Sequence, residues 1–92
     1  MSDIYKDLSN SLDTIINLIK EFNETKNDFK KPDIRAYQVQ MMNFAKVIGK
    51  NVLKHVLNLN DDIDEYLAKP LDGKYQDLMH DAVKLKNDLW EL

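Results

Sequence analysis

Ninety-two residues, 43% of them hydrophobic and 32% charged, suffice for one domain with a thin core, since a chain this short buries roughly two-thirds of its unfolded surface. The absence of cysteine excludes disulfide staples and thiolate metal sites, and a net charge of −3 counts against a duplex-binding domain. Two Gly and two Pro supply little turn material, so a few long elements are expected.

The opening stretch MSDIYKDLSNSLD is acidic and has no basic segment followed by an apolar run, so no leader is expected. Ser2 in place of Gly excludes myristoylation. Every window of about 18 residues carries charge, so no segment is expected to span a bilayer, and the expected location is cytoplasmic.

The first helix is predicted over about residues 3–24. Tyr5, Leu8, Leu12, Ile15, Ile19 and Phe22 recur at alternating spacings of three and four, the seam of a helix facing one partner surface. Ile4, Ile16 and Leu18 widen it, and Ser2 is the expected cap with Asp3 beside the positive helix end. NETKNDFKKPD, residues 23–33, is the first connection, with Phe29 expected to tuck under it.

A second helix is predicted from Pro32 to Leu59, about 42 Å long at 1.5 Å per residue. Its stripe is Ile34, Tyr37, Met41, Ala45, Ile48, Val52, Val56 and Leu59, flanked by Met42, Leu53 and Leu57. Gly49 lies within that stripe. Its cost of about 1 kcal/mol in a helix interior predicts a close backbone approach there.

Asn60 is the expected cap of a short third helix over residues 61–69, with Asp61, Asp62 and Asp64 in its first turn. Ile63, Tyr66 and Leu67 form its inner side and Pro70 stops it. The last helix, residues 73–91, repeats Leu71, Tyr75, Leu78, Ala82, Leu85, Leu89 and Leu92, broadened by Met79, Val83 and Trp90. No stretch alternates with period two. The expected fold is all-α: an antiparallel helical bundle of three long helices plus one short helix, a single domain over residues 1–92.

The chemistry-bearing patterns are sparse. Asp77 and His80 have the i, i+3 carboxylate–imidazole spacing of helical di-metal sites, but no second pair accompanies them, so no metal is expected. No phosphate loop, cysteine nucleophile or supported Ser–His–acid set occurs, so neither an enzyme nor a cofactor is expected.

Charge is distributed unevenly. Residues 26–54 hold seven basic groups against two acidic ones, and residues 61–81 hold seven acidic against two basic. On the second helix Asn43, Lys46, Lys50, Asn51, Lys54, His55 and Asn58 share the polar half, with Phe44 and Val47 at its border. The polarity suits protein–protein binding by a small regulator, inhibitor, immunity protein or adaptor, alone or as a homodimer. The abundance of Asn, Lys, Ile and Asp suits a bacterial or phage source. Two binding surfaces are expected: Asn43, Phe44, Lys46, Val47, Lys50 and Lys54, and the acidic pole Asp61, Asp62, Asp64 and Glu65. The alternative is a nucleic-acid-associated regulator using Lys46, Lys50 and Lys54, against which stand the acidic net charge and the single Arg. A membrane-surface role is disfavoured, because the second helix lacks Trp and needs its apolar half for the core.

Overall fold

The computed structural model describes residues 3–91, with the backbone alone at positions 90 and 91. Asp3 opens the first helix, α1 (Ile4–Thr25), its carboxylate accepting the Lys6 backbone N–H at 3.1 Å. Ser2, the expected cap, lies outside the described residues. The helix ends where Lys26 adopts a left-handed conformation, φ 53°, its N–H donating to the Phe22 carbonyl at 2.6 Å. A left-handed lysine is unusual at such a stop, where glycine avoids the Cβ penalty. Its side chain is anchored in return, Nζ donating to Asn23 Oδ1 at 2.9 Å.

A 3₁₀ turn, Asp28–Lys30, follows, with Asn27 Oδ1 accepting the Phe29 N–H at 3.0 Å. Pro32 then sits in the first turn of α2 (Lys31–Ile48), where its missing N–H leaves no bond unmade. Phe29 does not tuck in; it is 89% exposed. The Phe22 ring nearby is flanked by cations: Lys26 and Lys31 place Nζ 6.0 and 5.7 Å from its centre.

The predicted second helix is two helices. Gly49 has φ 150° and ψ 172°, and it separates α2 from α3 (Lys50–Ala68). Its N–H still donates to the Ala45 carbonyl and its carbonyl still accepts from Leu53, both at 3.0 Å, so one residue closes one helix and opens the next. The expected close contact is absent, since no atom lies within 4 Å of where a Cβ would stand. Glycine is needed for its backbone conformation alone. The last helix is α4 (Asp72–Glu91). Four helices of 22, 18, 19 and 20 residues therefore replace three long and one short. Asn60, the expected cap, lies within α3 and is buried.

Each helix packs on its chain neighbours and α4 returns to α1; among the described residues α1 and α3, and α2 and α4, are diagonal, with no Cα of one within 8 Å of the other. Gln38 meets Asn60 across α2 and α3, each eleven positions from Gly49, which sets those helices antiparallel. The core holds Leu8, Leu12, Ile15, Ile19 and Phe22 of α1, and Ile34, Met41 and Ala45 of α2. Val56, Leu59, Ile63 and Tyr66 of α3 and Leu78, Ala82 and Leu85 of α4 join them, with Ile16, Val52, Leu67 and Leu89 at the margin. Each fully buried Leu or Ile contributes roughly 1.5–3 kcal/mol. Among the apolar residues expected on the helix seams, four are exposed instead: Tyr5 borders the α1–α4 groove, Leu57 lies on the outer side of α3, Leu71 precedes α4, and Val83 turns outward beside Ala82. The side chains of Trp90 and Leu92 lie outside the described residues.

One end of the core is closed by a polar lock. Tyr66 is fully buried, and its hydroxyl donates to Asn23 Oδ1 at 2.6 Å. Its ring meets Phe22 edge-on and Tyr75 at a tilt, with centroids 5.8 Å apart in both pairs.

Candidate functional site

Lys46, Lys50 and Lys54 are spaced to form a straight row on an uninterrupted helix, but Gly49 divides them. Lys46 projects from the last turn of α2, and Lys50 and Lys54 from the first turns of α3. All three are exposed, and none pairs with a carboxylate among the described residues. They ring the tip of the α2–α3 hairpin rather than line one rod.

The hairpin's outer surface has an unusual composition. From Ile34 to Asn60 the chain contains no Asp or Glu. A solvated helix face normally carries mixed charges; here Ala36, Val39, Asn43 and Val47 stand opposite the buried Ile34, Gln38, Met41 and Ala45. Val39 is 58% exposed and Val47 74%. On α3, Leu57 is 40% exposed. Three of the seven well-exposed large apolar side chains among the described residues thus lie on this hairpin.

Helical angles order the surface. Tyr37, Gln40 and Phe44 border a groove against α1, together with Asp7, Asn10, Ser11 and Thr14. Arg35 and Lys46 stand about 160° around α2 from Tyr37 and Phe44 respectively, and so on the α3 side. Leu57 lies about 60° around α3 from Asn60, whose amide reaches α2. Arg35, Val39, Lys46, Leu57 and Lys54 therefore flank the outer seam between α2 and α3. Phe44, expected with the lysines, instead packs its ring against the core edge on the α1 side. Val39, Arg35 and Leu57 were not among the expected site residues.

The acidic pole does not form one patch. Asp61 and Glu65 face solvent. Asp64 accepts from Gln38 Nε2 at 3.0 Å, toward α2. Asp62 faces α4, where its partial burial, a hydrogen bond shared with Asp81, and repulsion from Asp81, Glu65 and Asp77 push its pKa up to about 6. A carboxyl held this way keeps part of its proton at neutral pH.

Elsewhere the helix seams open shallow clefts. His55, Asp81, Lys84 and Asp88 line one of about 130 Å³ between α3 and α4, a grouping that sequence spacing does not reveal. A wider groove of about 550 Å³ runs between α1 and α4, bordered by Tyr5, Ser9, Asn10 and Leu89 and crossed by the Lys86–Asp13 ion pair. Asp77 and His80 are both exposed on α4. Among the described residues no group of three His, Asp or Glu side chains is placed to hold a metal ion, and no helix is long and apolar enough to cross a membrane.

No family model, curated protein or solved structure matches this chain.

Proposed function

We propose that this chain is a non-enzymatic binding module that acts by protein–protein contact through the outer surface of the α2–α3 hairpin. One observation carries the reading: Val39, Val47 and Leu57 are exposed on a hairpin whose residues 34–60 carry Arg35, Lys46, Lys50 and Lys54 and no carboxylate, Asp61 and Asp64 standing beyond that stretch at the end away from the tip. Exposed apolar side chains beside unpaired cations suit a recognition surface better than an ordinary solvated face. A regulator, inhibitor or adaptor of phage or bacterial type, in the cytoplasm, fits a chain of this size. The acidic residues of α3 point in three directions and serve this reading less well.

Affinity capture from cells of the source organism tests it, with wild type beside the Lys46→Glu/Lys50→Glu/Lys54→Glu variant. These positions are exposed and unpaired among the described residues, so the variant keeps its helical circular-dichroism spectrum and loses the captured protein. Undiminished capture removes this surface from consideration. The alternative, a nucleic-acid-associated regulator, draws on the same lysines. It requires duplex binding that weakens steeply with added salt.

A further inference from the structure

We infer that the partner bound on the α2–α3 hairpin is an acidic amphipathic helix of another protein, an inference that rests on the protein-binding reading above. Shape supports a helix. Ala36, Val39 and Val47 share one exposed face of α2, with the polar Asn43 between them, at spacings of three, four and four over 12 residues or about 17 Å. Leu57 adds a second row across the seam, and Met42 and Leu53 are half-buried between the rows. An amphipathic helix lays one apolar face into such a surface and anchors every three or four residues.

Charge selects among helices. Arg35 and Lys46 lie on the α3 side of α2, and Lys50 and Lys54 answer from α3, so the seam between the apolar rows is bordered by four cations, with Asp61 and Asp64 only at its end away from the tip. A helix with carboxylates flanking its apolar stripe meets those cations, and a basic one is repelled. A second copy docked with the two hairpin tips together would set six lysines against one another. Duplex nucleic acid would leave Val39, Val47 and Leu57 against phosphate, with one guanidinium on the whole chain to read bases.

The test uses three synthetic peptides of about three heptads, all with leucine at a and d, carrying Glu, Gln or Lys at e and g. Each is titrated into ¹⁵N-labelled protein, with a short DNA duplex in parallel. The Glu peptide is expected to shift the amide resonances of Val39, Asn43, Lys46, Val47, Lys54 and Leu57. Its affinity falls at least tenfold in the Lys46→Glu/Lys50→Glu/Lys54→Glu variant, in Val39→Asn/Leu57→Asn, and on raising salt.

No shift with the Glu peptide, or shifts confined to another surface, overturns the inference. Equal binding of the Gln or Lys peptide overturns the acidic partner but leaves the surface standing. Shifts on this surface with DNA alone overturn it in favour of nucleic acid. A dimer in sedimentation that Val39→Asn dissociates overturns it in favour of a second copy. Loss of affinity capture on charge reversal, with no Glu-peptide binding, separates failure of this inference from failure of the reading beneath it.

Discussion

Gln38 and Asn60 hydrogen-bond each other's backbone across the α2–α3 interface: each side-chain amide donates to the other residue's main-chain carbonyl at 3.3 Å. Both residues are more than nine-tenths buried. The reciprocity fixes the register of two helices that have a single residue between them. Gln38→Ala and Asn60→Ala are each expected to cost about 1–2 kcal/mol in urea denaturation. The double variant should cost less than their sum by about 0.5–1 kcal/mol. Strict additivity would show that the two amides do not act as a unit.

Gly49 offers a test of backbone strain separate from crowding. A Cβ there meets nothing within 4 Å, but φ of 150° is a conformation L-residues rarely adopt. Gly49→Ala is expected to destabilise the monomer by about 1–3 kcal/mol. A D-alanine placed at position 49 by chemical synthesis finds the same conformation allowed, and restricts the unfolded chain. That protein should be as stable as wild type, or more stable by about 0.4–1 kcal/mol. Equal losses for both stereoisomers would mean that space, not conformation, requires glycine.

Asp62 makes stability depend on pH in the less common direction. Its carboxyl titrates at about 6 in the folded chain against 3.8 ordinarily, so folding favours the protonated form. The stabilisation is complete below pH 4 and is lost as pH rises through about 6. The charged groups around it are carboxylates alone, Asp77 and Asp81 from α4 and Glu65 from its own helix. Thermal midpoints should rise as pH falls from 7 to 5. Asp62→Asn should stabilise the protein at pH 7 by on the order of 1 kcal/mol, water around the pair screening the rest, and flatten that slope. An unchanged slope in the variant would assign the effect to other groups.

Tyr66 combines a buried ring with a hydroxyl placed to donate to Asn23 and to accept from Lys26 Nζ at 3.4 Å. Tyr66→Phe keeps the ring contacts, and Lys26 still serves Asn23, so its cost is expected near 1 kcal/mol. Tyr66→Ala opens a cavity against Phe22 and Tyr75 and is expected to cost about 3–5 kcal/mol. Similar losses in the two variants would place the energy in the hydroxyl.

Phe29, fully aromatic yet almost fully exposed, should be dispensable for folding. Phe29→Ser is expected to change stability by no more than about 0.5 kcal/mol. A larger loss in calorimetry would mean that the ring lies under the connection after all.

The inside of this protein is legible in its sequence because periodicity reports angle around a helix. Ile34, Met41, Ala45, Val52, Val56 and Leu59 all belong to one predicted stripe, and all are buried. The same measure misses the break at Gly49, because both helices bury their stripes in one core and its phase runs through the turn. Asn60, Asp61 and Asp62 imitate a cap and an acidic first turn. Nothing local shows that the Asn60 amide is taken by a carbonyl 22 residues earlier in the chain. The candidate surface is half-legible. Its lysines and the run without carboxylates are visible in the sequence, but the placement of Val39 and Leu57 on neighbouring helices exists only once the chain folds back.

That fold-back places a whole architecture on one peptide unit. Run straight, residues 31–68 would form a rod of about 57 Å, half as long again as the molecule's 38 Å greatest extent. A chain opened at this pivot keeps the α1–α2 and α3–α4 contacts within its halves and surrenders the α2–α3 and α4–α1 surfaces together with the Tyr66 contacts to Phe22 and Asn23. A second opened chain presents the same two surfaces in complementary form. The one-residue joint therefore also governs topology, separating a self-contained monomer from a pair of chains that have traded halves.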